Sequence, residues 1–255
     1  MIPKVIHYCW FGGQPLPELA VHCIESWKKY CPDYKIIRWD ETNTNLQEND
    51  YIKEAYKIKK WAFITDYVRL KVLYEYGGIY MDTDVEVFKN LDCFLTEKAF
   101  SGFESVDHVP TGIIASESKH PFFKELLDYY KGRHFIKDNG SYDETTNVIT
   151  ITNIAVANGL QLNDQKQTVC DMTFYPHDFF CPKDYRSGKT FLTNNTYCIH
   201  HFNGSWQSED EKKDVELMRT VIAKYGVKHC IAYFRIEKYL KHPSNLILRL
   251  KKLLK

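Results

Sequence analysis

Residues 64–87 read ITDYVRLKVLYEYGGIYMDTDVEV, and this stretch decides the fold. Trp61, Ile64, Val68 and Val72 recur at helical spacing, with Phe63, Tyr67, Leu70 and Tyr74 on an adjoining face. The spacing predicts a helix buried along much of its girth. Gly77-Gly78 then stands where a helix C-terminus favours a residue tolerant of positive φ. The apolar run after it predicts a short buried strand that breaks on Asp82, Thr83 and Asp84. In extended backbone, side chains two apart share a face, so the two carboxylates are expected side by side. Like charges that close cost free energy unless one is protonated or a cation sits between them.

Working outward, Val5–Phe11 reads as a buried strand closed by Gly12-Gly13. Leu19, Cys23, Ile24, Trp27 and Tyr30 follow at helical spacing, Pro32-Asp33 ends that helix, and Tyr34–Trp39 is a second strand. Strand, helix, strand, helix, strand is a parallel α/β unit, and such sheets bind ligands beyond the carboxyl ends of their strands. Trp10 and the Asp82/Asp84 pair both fall there. Downstream, Phe100–Phe103 and Gly112–Ala115 are expected strands, and Pro121–Lys131 an expected helix with proline in its first turn. From Asp138 to Lys189 the signal is weak and rich in Asn, Asp and Thr, which suits a substrate-facing region. Tyr197–Phe202 reads as a late strand. Ser208 with Glu211 forms a capping box that starts a helix. A single domain over 1–255 is expected: a nucleotide-binding half (1–98), an acceptor side with a site-closing loop (99–210) and a helical basic tail (211–255).

The chain has 255 residues, and its 15% aromatic content argues against disorder. The net charge is +1, but unevenly spread. Nine of the 34 basic residues and only Glu237 of the 33 acids lie within 224–255, leaving 25 basic and 32 acidic residues upstream. An acidic body with a basic tail speaks against a nucleic-acid partner and for contact with an anionic surface at one end. Ser244 could cap a short amphipathic helix, with Leu246, Ile247, Leu250, Leu253 and Leu254 opposed by Arg249, Lys251, Lys252 and Lys255; it would either lie on anionic lipid or dock on the body. The eight cysteines form no C-x-x-C pair and no zinc-like spacing, so reduced thiols serving as core filler are expected. The N-terminus has the wrong flanks for a signal peptide, and no run of about 18 apolar residues exists. The expected location is cytoplasmic, with a peripheral position at the inner membrane face as a further expectation.

G-x-G-x-x-G, the P-loop pattern and the G-x-S-x-G elbow are all absent. What remains is carboxylates, aromatics and histidines. A divalent ion on Asp82 or Asp84 would keep most of its coordination sites for a ligand's oxygens, which suits a diphosphate. The bland alternative is a solvated strand end with surface acids. Asp66 and Arg69, three apart on the helix, share a face and are either part of that site or a surface ion pair. Trp10 is either core or a stacking plate for a flat ring.

The 64–87 segment, the opening IPKVIHYCWFGG with SWKKYCPDYKIIRWDE, and HHFNGSW near the other end resemble the Och1-like glycosyltransferases. That family has a sugar-binding region containing a DXD motif and includes capsular polysaccharide transferases; the clostridial glucosylating toxins are more distant relatives. The resemblance implies a GT-A α/β fold with an inserted acceptor region, and a retaining hexosyltransferase of bacterial capsular or other surface polysaccharide synthesis. It further implies Mn²⁺ or Mg²⁺ as cofactor, a nucleotide-sugar donor (UDP-sugar favoured), and a glycan acceptor, free or lipid-linked. By this resemblance Trp10 stacks on the base, Asp66 and Arg69 hold the donor sugar and its phosphate side, and Tyr80 lies near the ribose. Asp82 contacts hydroxyls or shares the metal, Asp84 ligates the metal, and His201 joins it, with His200 as the fallback. Ser205 and Trp206 close over the diphosphate. The catalytic residue is left unassigned. Thr111 and the stretch ETTNVITITN depart from the pattern, which leaves the acceptor side undefined. Two other readings are a haloacid-dehalogenase-type phosphohydrolase, whose D-x-D opens the first strand rather than following a whole β-α-β-α segment, and a non-catalytic nucleotide-sugar or glycan-binding module.

Overall fold

Five strand directions run alike in the central sheet, and they set where the site lies. The computed structural model describes residues 1–204 and 209–226. The N-terminal part runs β1 (Val5–Cys9), α1 (Glu18–Tyr30), β2 (Lys35–Trp39), α2 (Asp50–Lys57), α3 (Trp61–Tyr76), β3 (Gly78–Met81). β1 pairs parallel with both β2 and β3, as the alternating pattern predicted. α2 was not anticipated. It is short, and its start is fixed by Asn49, whose side-chain oxygen accepts from the N–H groups of Tyr51 and Ile52.

α3 ends where expected. Gly77 has φ 68°, and its N–H donates to the Leu73 carbonyl at 2.9 Å. A Cβ at this residue would meet the Ser118 nitrogen at 2.7 Å, so both conformation and space require glycine.

The chain continues through β4 (Val85–Val87), β5 (Ala99–Gly102), β6 (Ile113–Ser116), α4 (Pro121–Asp128), α5 (Asn147–Ala157), β7 (Gln167–Val169), β8 (Met172–Tyr175), α6 (His177–Phe180), β9 (Cys198–His200) and α7 (Glu209–Tyr225). The main sheet has the order β2-β1-β3-β6-β5-β8-β7, with β6 antiparallel to both its neighbours and β7 antiparallel to β8. β1, β2, β3, β5 and β8 therefore share one direction, and their carboxyl ends form one edge. Along β3, Ile79 and Met81 enter one core cluster with Ile6, Trp27 and Phe100. Tyr80 enters the other, with Val68, Leu73 and Ile114. This period-two alternation between two apolar layers is why all four β3 residues are buried. The buried thiols of Cys9, Cys23, Cys31, Cys181 and Cys198 pack as small apolar groups.

A second sheet pairs β4 with β9, antiparallel, in the register Val85↔His200. α1 anchors it: the Trp27 indole N–H donates to the Val85 carbonyl at 2.6 Å, and the Ser26 hydroxyl accepts from Val87 N–H at 2.9 Å.

Within the weak-signal region, NVITITNIAVA is a helix despite its β-branched residues. Its first amide, Asn147 N–H, is held by Asp66 Oδ2 at 3.0 Å, so a tertiary contact overrides local propensity. Among the described residues, contacts divide the chain into two units. One comprises 1–183 and 190–204, with both sheets. The other comprises 184–189 and 209–226, in which Arg219 Nε donates to the Tyr185 carbonyl at 3.3 Å. Among the described residues, no helix is long and apolar enough to cross a membrane. The Ser208 cap and the helix proposed from Ser244 onward lie outside the described residues.

Candidate functional site

The D-x-D segment is not an extended strand end. β3 stops at Met81, and Val85 N–H donates to the Asp82 carbonyl at 3.0 Å, closing a tight turn over Asp82–Val85. The expectation that extended backbone sets the two carboxylates on one face is corrected accordingly. Each aspartate has its own positive partner.

Asp82 stays on the Tyr80 face, two residues on. Its Oδ1 lies 3.1 Å from Arg69 Nη2 and accepts from the Tyr80 hydroxyl at 3.2 Å. Arg69 reaches up from α3, its guanidinium carbon 4.8 Å from the Tyr80 ring centroid, and Nη2 also lies 3.3 Å from Asp66 Oδ1. Asp66 and Arg69 do share a face, as their spacing predicted. Burial works against the Arg69 charge, but Asp82, Tyr80 and Asp66 together outweigh it and raise its pKa. Burial dominates at Asp66 and pushes its carboxyl up to about 6, although Arg69 and Asn147 N–H favour the ionised form. Both Asp66 oxygens are engaged within the protein, which makes it the support of Arg69 and of the start of α5.

Asp84 faces the second sheet. Its Oδ1 lies 3.4 Å from His200 Nε2, and its Oδ2 accepts from Asn203 N–H at 2.7 Å. Its carbonyl also accepts from His201 N–H at 2.9 Å, so one residue staples the 201–203 segment at two points. Phe202 adopts φ 55°, the left-handed region uncommon for a bulky residue, and its ring centroid lies 4.2 Å from that of His200. This bend presents Asn203 N–H to Asp84. Burial opposes the Asp84 charge, yet His200 and Asn203 outweigh it and hold the carboxyl well below the usual carboxylate range. The converse holds for His200: burial disfavours its charge, and Asp84 overrides this to hold the imidazolium well above its ordinary value.

Of the two adjacent histidines, His200 and not His201 meets Asp84. His201 turns the other way, its Nε2 2.9 Å from Glu86 Oε2, because neighbours on a strand point to opposite faces. The first-choice His201 thus sits with Glu86, and the fallback His200 sits with Asp84. Gly112 explains how the ring fits: a Cβ there would lie 2.8 Å from Val85 Cγ2 and 3.0 Å from His200 Cγ.

Trp10 stands at the same sheet edge, half-buried, its indole N–H donating to the Gln14 carbonyl at 2.6 Å. Ser205 and Trp206 lie outside the described residues. Sequence reasoning missed Glu104. It follows β5 at the same edge, and its Oε2 lies 4.0 Å from His200 Nδ1. Burial raises its carboxyl pKa, with His200 opposing. The signal was available, since Glu104 falls just past an expected strand as Asp82 does.

The donor set fits a divalent ion only in part. Among the described residues, no group of three His, Cys, Asp or Glu side chains stands where one ion could be held. Asp84 and His200 supply one carboxylate oxygen and one imidazole nitrogen on the same spot. His200 Nδ1 is buried without a hydrogen-bond partner, as are Arg69 Nε beside Asp82 and the Thr111 hydroxyl next to Gly112 in the chain. Unpaired buried polar atoms of this kind leave capacity for a partner from outside the protein. Two protein ligands suit an ion that takes its remaining oxygens from a diphosphate.

Residues 17–101 match the family described as "Glycosyltransferase sugar-binding region containing DXD motif", which bears out the resemblance read from the sequence. Among similar curated proteins, "Inositol phosphoceramide mannosyltransferase 3" of Schizosaccharomyces pombe (strain 972 / ATCC 24843) is 31% identical over 134 residues, 49% of this chain and 36% of that protein. "Uncharacterized glycosyltransferase L373" of Acanthamoeba polyphaga mimivirus is 30% identical over 160 residues, 59% of this chain and 62% of that protein. The chain thus spans 36% and 62% of the length of these two relatives. A solved structure titled "PaToxG Glycosyltransferase" is similar with a TM-score of 0.46 and 20% identity, covering 63% of this chain and 71% of that one. The α/β sheet with its D-x-D turn at the carboxyl edge agrees with the α/β architecture expected from the sequence.

Proposed function

We propose that this protein is a metal-dependent, retaining glycosyltransferase that moves a hexosyl group from a nucleotide-sugar to a glycan acceptor, free or lipid-linked. The observation that carries this reading is the divided D-x-D: Asp82 fixed by Arg69 and Tyr80, and Asp84 fixed by His200, at one sheet edge. Asp84 and His200 would hold Mn²⁺ or Mg²⁺, which when bound supplies positive charge to the departing nucleoside diphosphate. Arg69 presents a buried, permanently charged guanidinium to the same region, so it can orient phosphate oxygens without paying for its own ordering at the moment of reaction. Asp82 would offer an acceptor to sugar or ribose hydroxyls, with Tyr80 near the ribose steadying that carboxylate through its own hydroxyl. The half-buried Trp10 ring offers a stacking face to the base. Ser205 and Trp206 are assigned to closing over the diphosphate on the resemblance alone.

A UDP-sugar is the first choice of donor. A mannosyl donor is the second, favoured by relatives named as mannosyltransferases, one of them of inositol phosphoceramide. The biological setting we assign is surface or capsular polysaccharide synthesis at the cytoplasmic face of a membrane, reached through the basic 224–255 segment. The test is hydrolysis of UDP-, GDP- and CMP-sugars with Mn²⁺ or EDTA, following the anomer of the released sugar by NMR. Metal-dependent nucleotide release with initial retention is expected. Release of inorganic phosphate would indicate the phosphohydrolase, no release with tight binding the non-catalytic module, and full activity in EDTA would overturn the metal.

A further inference from the structure

We infer that Glu104 is the positioning residue that fixes the His200 ring, so that Nε2 is the nitrogen turned to the cation. The inference rests on the metal reading above and adds a residue that neither the family region (17–101) nor the motif contains.

Three observations carry it. His200 Nδ1 is buried and meets no partner in hydrogen-bond geometry, although its other nitrogen is committed to Asp84. The Cys181 thiol, which donates to the Lys183 carbonyl, also acts on the ring. Glu104 Oε2 is the carboxylate oxygen facing Nδ1, at 4.0 Å, so a small ring or carboxylate rotation closes a hydrogen bond. Glu104 is itself held in place: Phe103 before it is fully buried, and its own N–H donates to the His108 carbonyl at 3.0 Å. Gly112 lets the ring lie where it does, since a Cβ in its place would stand 3.0 Å from His200 Cγ.

A histidine that binds metal through one nitrogen commonly donates its other N–H to a carboxylate. That bond settles the tautomer and the ring plane. Asp84, His200 and Glu104 form such a line, running from one carboxylate through the imidazole to the other. Glu104 stands on the far side of the ring from Asp84, which makes it an orienter and not a further ligand.

The experiment measures Mn²⁺ affinity of the full chain by EPR, with UDP or GDP present, for wild type, Glu104→Leu and Glu104→Gln. Circular dichroism and Tm establish that each variant is folded. Glu104→Leu, which removes the acceptor, should weaken Mn²⁺ by about 10–100-fold. Glu104→Gln, whose amide oxygen still accepts, should recover most of that loss. In a His200→Ala background, Glu104→Leu should have no further effect. A folded Glu104→Leu protein that binds Mn²⁺ as wild type does would overturn the inference and leave the metal reading intact. Equal losses in Leu and Gln would overturn it in favour of Glu104 as a direct ligand. Failure of the wild type to bind Mn²⁺ would remove the metal reading and the inference together. A readout that needs no variant is the ¹⁵N spectrum of His200 in the Mg²⁺-loaded protein: Nδ1 should carry the proton, and an Nε2–H tautomer would refute the proposed role.

Discussion

Replacing Asp84 by asparagine should destabilise the metal-free protein, even though it removes one of two nearby negative charges. From the sequence the opposite sign was expected, because Asp82 and Asp84 were taken to repel. In the structure Asp84 is the counter-ion of His200, at 3.4 Å, with side-chain exposures of 16% and 12%. Removing one member of a buried pair commonly costs about 3–5 kcal/mol, because the other charge is left uncompensated. Here the histidine can escape part of that cost by releasing its proton, and the asparagine oxygen can still accept from Asn203 N–H. The expected loss at pH 6 in EDTA is therefore about 2–4 kcal/mol, a fall in Tm of roughly 5–12 °C for a chain of this size.

The sign of the pH dependence follows from His200, whose folded pKa is raised. Its contribution is complete below the ordinary imidazole value near 6.5 and is lost as pH rises through the raised folded value, so the gap between wild type and variant should narrow in alkaline solution. Scanning calorimetry of both proteins in EDTA across that range measures it. A variant at pH 6 as stable as wild type, or more so, would falsify the ion-pair account. With Mn²⁺ and donor, the same substitution should lower kcat by at least ~10²–10³-fold.

Gly112→Ala places a methyl 3.0 Å from His200 Cγ and 2.8 Å from Val85 Cγ2, and overpacking of this kind should cost about 1–3 kcal/mol together with Mn²⁺ affinity. Wild-type metal affinity in this variant would contradict the confined-ring geometry. Asp66, with its carboxyl at about 6 in the fold against 3.8 as the ordinary value, should make stability fall as pH rises between those two values. That contribution is full below the lower value and gone above the upper one, is worth roughly 2–3 kcal/mol, and should flatten in Asp66→Asn when urea midpoints are compared across the window. Trp10→Ala should raise the donor KM by one to two decades, from a stacking contribution of about 1–3 kcal/mol, with the fold near wild-type stability. Severe destabilisation without a donor-specific effect would make Trp10 a core residue.

Much of the N-terminal half was legible because its signals are local. The apolar spacing of α3, the glycine at its end and the buried run of β3 each depend on residues within one turn or one strand. α5 was illegible for the opposite reason: Val148, Ile149, Thr150, Ile151 and Thr152 favour extended backbone, and the helix begins on a carboxylate 81 residues upstream. The site was half legible. Residue types and strand ends located Asp82, Asp84, Asp66 and Arg69, but the directions of their side chains came from a turn the strand rule could not foresee. His200 and His201 are indistinguishable in a sequence; pairing with β4 and the left-handed Phe202 decide which of them meets Asp84.

The turn at Asp82–Val85 gives the two aspartates unlike partners, and that division sets how their charges are balanced within the protein. An extended D-x-D would leave two carboxylates in mutual repulsion until an ion arrived, so folding itself would depend on metal. Here Arg69 balances Asp82 permanently, because a guanidinium does not titrate in proteins. His200 balances Asp84 conditionally, because an imidazole can give up its proton and offer the same nitrogen to a cation. The fixed partner stands on the α3 side, where on the proposed reading it would give a diphosphate lasting positive charge. The exchangeable partner stands on the β9 side, where on the same reading it would serve an ion as a ligand that can become neutral. On the proposed reading Asp84 would exchange an imidazolium partner for the ion, His200 giving up one proton, without becoming an unpaired buried charge.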